Sequence, residues 1–427
     1  MAKKLNSVLG IDIGSQSIKI AEIKMSGREP SITALGMAAT PDGAVDHTGV
    51  YEPDAIGAVL KDLLASAGAS VGQAVVSIAG QASVLVRTVE VPRMAPKELE
   101  EHMQWEISRN LPFAETTVES DYKTYPSEDP NSANVDVVMA ISPRSAIDTL
   151  ISTLRKAGKT PAAIDVEPLA MVRSLAHCYS DVVPNKTVCM VEVGHKTTSI
   201  NMYRNNQLLL PRQVPIGGEN FTRSIADGLG ISVEDAEHMK QSRAVIPDSA
   251  AAAILNPFGG MPAVGGYGYS APATDYATQG YAAPAADDVT GGYSASPFGD
   301  AAPAADSGET VAMPAMPEAV SQGDPEMMRI YQAFQPMLEE FLSEVRRSVD
   351  YFRSKGGEVD VIYLAGGGAK LRGLAEFLHA TLGISVELLD PLRGMPIGGK
   401  RIENDLLQHN RPDFTVAIGN SLHICYE

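Results

Sequence analysis

The hydrophobic pattern switches between short runs of period two and longer stretches of period near 3.6, which predicts an α/β architecture. Strands are expected at Ser7 to Ile13, Ser17 to Lys24 and Ser31 to Met37. A helix follows over Asp54 to Ala67, with Ile56, Leu60, Leu63 and Leu64 on one side and Gly68 as its stop. After strand Ala74 to Ile78 comes the alternating stretch Ser83 to Val91, ended by Pro92. Pro96 then opens a helix with Glu98, Glu100 and Glu101 in its first turn, as the helix dipole prefers, and an apolar stripe of Leu99, Met103, Ile107 and Leu111. Strand Val135 to Ile141 leads into Ser142-Pro143, a helix start, with Ile147, Leu150, Ile151 and Leu154 at helical spacing. Residues 82–158 thus read as a small strand-helix-strand-helix subdomain inserted into a first lobe.

A second lobe begins near Lys186 with three strands in meander, Thr187 to Val193, Thr197 to Tyr203 and Gln207 to Pro215, the last two joined by an Asn205-Asn206 turn. Ser232 and Asp235 form a capping box for a short helix through Lys240. Asp324-Pro325 starts a long amphipathic helix, and strand Val361 to Ala365 runs into Gly366-Gly367-Gly368 and another helix. The expected boundaries are 1–81 and 159–185 for the first lobe, with a C-terminal helix returning to it near 412–427, and 186–243 with 323–411 for the second. Residues 244–322, rich in Ala, Gly, Pro, Ser and scattered tyrosines, have too few aliphatic side chains to offset chain entropy and are expected to be disordered. They read as a solvated spacer or as a weak self-association or partner-binding tract with tyrosine stickers.

Charge changes the picture less than its sum suggests. Of the net charge of −18, the stretch Ala244 to Met328 holds ten acids and no Lys or Arg, so the rest carries only −8. That balance disfavours nucleic acid as a partner. No apolar run approaches the roughly 20 residues of a membrane span, and MAKKLNS lacks the apolar stretch of a signal peptide, so a cytoplasmic location is expected. Cys178, Cys189 and Cys425 show no metal-type spacing and read as buried thiols.

The candidate chemistry lies in a repeat. Gly10 to Ile20 (GIDIGSQSIKI) and Met190 to Ile200 (MVEVGHKTTSI) overlay at a constant offset of 180 positions, Asp12 on Glu192, Gly14 on Gly194 and Ser17 on Thr197. Each is a strand ending in acid-x-Gly, a polar turn and a second strand. Glycine admits a ligand close to the backbone, turn N–H groups cradle anions, and a strand-end acid can hold the water shell of a metal ion. Two such turns facing across a cleft would clamp a nucleotide.

This order of motifs resembles the actin, sugar-kinase and chaperone ATPase superfamily. The resemblance implies an actin-like two-lobed fold of duplicated ribonuclease H-like lobes, with ATP and Mg2+ as ligands. It places phosphates at Gly14, Ser15, Gln16, Ser17 and Lys19 and at Gly194, His195, Lys196 and Thr197, with Asp12 holding magnesium through water. Gly366, Gly367 and Gly368 resemble the adenosine motif, and Gly217 and Gly218 the glycine pair before the second-lobe helix. Glu237 and Lys240 match a purine-facing pair, though that spacing also suits a solvated helix pair. Glu167, in IDVEPL, is nominated either as the acid near an attacking water or as a helix-start carboxylate. Glu192 stands where the superfamily usually has Asp. Its extra methylene suits magnesium's octahedral demands poorly, so turnover is expected to be slow or absent.

Val86 to Phe113, VRTVEVPRMAPKELEEHMQWEISRNLPF, is similar to the inserted subdomain of the PilM family of type IV pilus proteins, as are GIDIGSQSIKIAEI and LGISVEDAEHMK. That resemblance implies an ATP-binding scaffold of pilus or type II secretion-like assembly. It would dock the N-terminal tail of a PilN-like inner-membrane protein and meet the membrane only through partners. A filament-forming division ATPase like FtsA and a sugar-kinase-like phosphotransferase are the alternatives.

Overall fold

The computed structural model describes residues 5–27, 29–114, 117–126, 131–255 and 324–426. β1 (Ser7–Ile13), β2 (Ser17–Ser26) and β3 (Glu29–Ala39) form an antiparallel meander, and α1 (Pro53–Ala67) crosses over so that β4 (Gln73–Ile78) runs parallel to β1. Pro53 opens that helix one residue before the expected start, and Gly68 at φ 72 stops it as the sequence predicts. The insertion comprises β5 (Leu85–Pro92), α2 (Pro96–Arg109), β6 (Val118–Thr124) and β7 (Asn134–Pro143), in a sheet of order β5-β7-β6. Strand β6 was not expected: VESDYKT half-buries Val118 and Tyr122 and exposes the rest, too weak an alternation to read.

β7 runs on through Pro143, so α3 (Arg144–Lys156) starts just after the expected Ser142-Pro143. Its Leu150 and Leu154 enter the same apolar core as Ile56 and Leu60 of α1, so this helix packs into the first lobe rather than with the inserted sheet. β8 (Thr160–Val166) completes the order β3-β2-β1-β4-β8.

α4 (Glu167–Cys178) leads to the second lobe: β9 (Thr187–Val193), β10 (Thr198–Arg204), β11 (Gln207–Val214), α5 (Gly218–Leu229), α6 (Val233–Ser242), α7 (Ser249–Leu255), α8 (Pro325–Ser354), β12 (Val361–Ala365), α9 (Leu374–Leu382) and β13 (Ser385–Leu388). Its order, β11-β10-β9-β12-β13, repeats the first sheet's plan of an antiparallel triplet followed by two parallel strands. The turn at Asn205 and Asn206 has φ of 50 and 63, the left-handed values a tight hairpin needs.

Order persists beyond Arg243, where disorder was expected to begin. Ala244 and Ile246 are buried, Arg372 bonds the carbonyls of Ser242 and Ala244, and α7 rests on α9. The remainder of the tract expected to be disordered, from Asn256 onward, lies outside the described residues.

α10 (Asn404–Gln408) and α11 (Thr415–Ser421) close the chain, and α11 returns to pack on β1, β2 and α4. Backbone meets backbone there. A Cβ on Gly10 would overlap the Ala417 carbonyl and the Ser421 amide, and one on Gly419 would overlap the Ala170 carbonyl. α4 and α11 thus cross between the two sheets in one continuous apolar core.

Candidate functional site

The two acid-glycine turns are built alike. Gly14 N–H donates to Ser17 O at 3.1 Å and Gly194 N–H to Thr197 O at 2.9 Å. A Cβ on Gly14 or Gly194 would lie 3.0 or 2.9 Å from that same oxygen, so each turn closes only over glycine. Thr40 braces the first turn through Gly14 O (2.6 Å) and Gln16 O (3.1 Å). The start of α5 braces the second, with Gly218 N–H on Gly194 O (2.9 Å) and Glu219 N–H on His195 O (2.8 Å).

Between the turns lies a cavity of about 720 Å³. Asp12, Gly14, Ser15, Gln16, Ser17, Lys19, Glu167, Glu192, Gly194, His195, Lys196, Thr197, Gly218, Glu237, Lys240, Gly367 and Gly368 all line it. Gly217 and Gly366 do not and act as supports. A Cβ on Gly217 would overlap His195 O, and one on Gly366, at φ 81, would lie 2.5 Å from Glu192 Oε1. The triple glycine opens a short 3-10 turn, Gly367–Lys370, and α9 starts only at Leu374, later than the sequence suggests.

Lys19 Nζ lies 3.1 Å from Asp12 Oδ2, its partner across the β1–β2 register. Burial alone would lower the Lys19 pKa, but Asp12, Glu192 and Asp413 together hold it above its ordinary value. The Glu167 carboxyl is pushed up by burial and by Asp12, against a hydrogen bond from Ser199. Glu192 is pushed well above the usual range, first by burial and then by Glu167. Lys240 is no solvated pair: its Nζ donates to Gly218 O (2.9 Å), Thr222 Oγ1 (2.7 Å) and Glu237 Oε2 (2.7 Å). Although burial opposes it, those contacts hold the Glu237 carboxyl below its ordinary value.

Several lining residues were not found from sequence. Asp413 pairs with Lys370 at 2.8 Å, and Lys370 also donates to Asn410 Oδ1 at 2.6 Å, so the chain's last fifth supplies one wall. Asp46 and His47 line the cavity from the β3–α1 connection. Asp46 Oδ1 accepts Thr48 N–H (2.7 Å) and Gly49 N–H (3.2 Å), which fixes that turn. An Asx turn is faintly legible in PDGAVDHTG, but nothing local shows that it faces the cleft.

The family model described as type IV pilus assembly protein PilM matches residues 10–263 and 325–424. The chain belongs to the PilM family. Over 99% of both chains it aligns with a structure titled PilM-PilN type IV pilus biogenesis complex, at 26% identity and a TM-score of 0.72. The ethanolamine utilization protein EutJ from Carboxydothermus hydrogenoformans aligns over 98% of this chain and 91% of that one, at 15% identity and a TM-score of 0.49. Cell division protein FtsA of Bacillus subtilis (strain 168) is 29% identical over 107 residues, which span 25% of this chain and 24% of FtsA. PilM membership carries the actin-like two-lobed fold expected from the paired turns.

The site fits a nucleotide by its own chemistry. It offers glycine turns with inward backbone, Lys19 and Lys240 at two walls, and an acid at the head of each turn. Among the described residues no group of three or more His, Cys, Asp or Glu is placed to hold a metal ion, so a cation here would need ligand and water oxygens beside Asp12. No helix among the described residues is long and apolar enough to cross a membrane.

Proposed function

We propose that this PilM-family chain holds ATP with Mg2+ in the cleft and serves type IV pilus assembly as a scaffold that docks the N-terminal tail of a PilN-like inner-membrane protein. One observation carries the reading. Both acid-glycine turns, Lys19 and Lys240 converge on one cavity, in a chain that aligns end to end with a PilM-PilN complex structure. Phosphates would rest on the turns Gly14 to Ser17 and Gly194 to Thr197, with Asp12 orienting the water shell of the cation and Lys19 opposing the phosphate charge. The nucleoside would lie along Gly367 and Gly368, opposite Glu237 and Lys240.

The partner tail would engage the inserted subdomain. Strand β6 is an edge of its sheet to which an extended peptide can add, whereas the β5 edge meets β11 through Thr88 Oγ1 on Leu209 O at 2.8 Å. Attachment of this kind would hold the protein at the inner face of the membrane through its partner. Turnover would be slow, because Glu192 is one bond too long and favours its proton. Calorimetry tests the reading: MgATP should bind the wild type and not Asp12→Ala, and a PilN-type tail peptide should bind more weakly to that variant. Unchanged affinity for both ligands would refute it.

A further inference from the structure

A second cavity, of about 380 Å³, lies beside the nucleotide cleft, between the β4–β5 connection, β5, the start of α4 and the strands β10 and β11. Most of its wall is apolar: Val84, Leu85, Val86, Pro168 and Pro211. Its polar lining includes Gln81, Gln213, Ser199 and Asn201. Ser199 and Asn201 share the face of β10 turned toward α4, where Tyr203 follows them outside the cavity, and Asn201 is 0% exposed.

Asn201 Nδ2 points to Met171 Sδ at 3.5 Å, and the Tyr203 hydroxyl donates to Pro168 O at 2.8 Å. The first contact turns the amide nitrogen toward Met171, and Asn201 Oδ1 has no hydrogen-bond partner among the described residues. Nor does Glu167 Oε1, a buried carboxylate oxygen of a residue that borders both cavities. Two buried acceptors without a donor are costly, because each has given up its water without gaining a partner.

We infer that the second cavity binds an alkylammonium or alkylguanidinium group, its stem against Val84, Val86 and Pro211 and its donors on Asn201 Oδ1 and Glu167 Oε1. Charge favours a cation over a neutral donor. A positive head beside Glu167 would meet an acid that borders both cavities. Of the two lining cations, Arg212 is neutralised by the Glu344 carboxylate, whereas Arg87 bonds a neutral amide and keeps its charge. Arg87 donates to Asn110 Oδ1 (2.6 Å), and Arg212 to Ser348 Oγ (2.6 Å), Glu344 O (3.0 Å) and the Glu344 carboxylate.

The group could be a lysine or arginine side chain of a docked peptide or a free amine. Binding of n-butylamine, n-butylguanidine and acetyl-Val-Lys-Val-amide to the full chain, followed by methyl NMR of Val84 and Val86, separates the sources. Binding by the peptide alone assigns a protein partner, and binding by the free amines assigns a small metabolite. n-Butanol should bind about tenfold more weakly than n-butylamine, Asn201→Leu should cost about tenfold, and Asn201→Asp should tighten binding. Equal binding of n-butanol, no binding of any probe, or an undiminished affinity in Asn201→Leu would overturn the assignment. A melting curve checks that the variants fold. The readout is amine binding without nucleotide, so failure of the proposed ATP site would leave it unaffected.

Discussion

The acid-glycine turns of the two lobes share one backbone and differ in chemistry. Each stands at the end of the third strand in its sheet order, and each closes with the same glycine-to-carbonyl bond. In the first lobe the register sets Asp12 opposite Lys19, whereas in the second it sets Glu192 opposite Ser199. The first acid is met by a cation; the second faces another buried carboxylate, Glu167, and favours its proton. Duplication therefore preserved the fold of the clamp but not its charge, and the clamp is asymmetric. The strands behind the turns differ too. Gly10 lies bare against α11, while its counterpart Met190 carries a fully buried side chain.

The largest expected effect probes that last contrast. Gly10→Ala drives a Cβ into two backbone atoms of α11 that cannot rotate away, and should cost about 3 kcal/mol or more in urea unfolding. Met190→Leu, at the matching place, conserves volume and should cost less than about 1.5 kcal/mol. Similar losses would show that α11 yields around the first strand, and the contrast would fail.

Charge is tested next. Asp12→Ala removes the acid and leaves the Lys19 ammonium buried without its 3.1 Å partner, so MgATP affinity should fall about 100-fold. Glu192→Gln removes a carboxyl that burial and Glu167 push well above the usual range, and should change affinity by less than about fivefold. Equal losses in calorimetry would mean that the clamp is symmetric after all.

Much of this was legible in the sequence, for a physical reason. The two turns, the crossover helices and the triple glycine are local: period, caps and glycine spacing specify them within some 15 residues. What escaped depends on distant chain segments. Asp413 and Asn410 reach the cleft only because α11 returns to the first sheet, and α3 looked like part of the insertion until its leucines met those of α1. Lys240 looked like half of a surface pair because its partners Gly218 and Thr222 lie on another helix. Asn201 gave no signal at all. It replaces Ala21 of the first lobe in a strand that still alternates correctly, and only the orphaned amide oxygen marks it.

The proton on Glu192 gives a smaller, pH-dependent effect. Its folded pKa lies above the ordinary value of 4.5, so the folded chain binds a proton that the unfolded chain releases. That stabilisation is complete below about pH 4.5 and is lost as pH rises through the folded value. Glu192→Gln keeps a neutral group there at every pH. In nucleotide-free melting curves the variant should therefore gain on the wild type from pH 5 to pH 8, by a few degrees at the upper end. A difference that does not change with pH would place the charge of Glu192 in the native state, contrary to the asymmetry.

The smallest effect concerns the outer hairpins, which also solve one problem in two ways. The β2–β3 turn uses Gly27 at φ 67, and the β10–β11 turn uses Asn205 and Asn206 at φ 50 and 63. Asparagine tolerates the left-handed region through its short polar side chain, and glycine enters it without steric cost but with a larger entropy loss on folding. These terms nearly cancel, so Asn206→Gly should change stability by no more than about 0.5 kcal/mol in either direction. Asn206→Val meets the steric cost with a branched Cβ and should lose about 1–2 kcal/mol. If valine were as well tolerated as glycine, the turn would be free to change type, and the register that sets Glu192 opposite Ser199 would have to be fixed by the sheet alone.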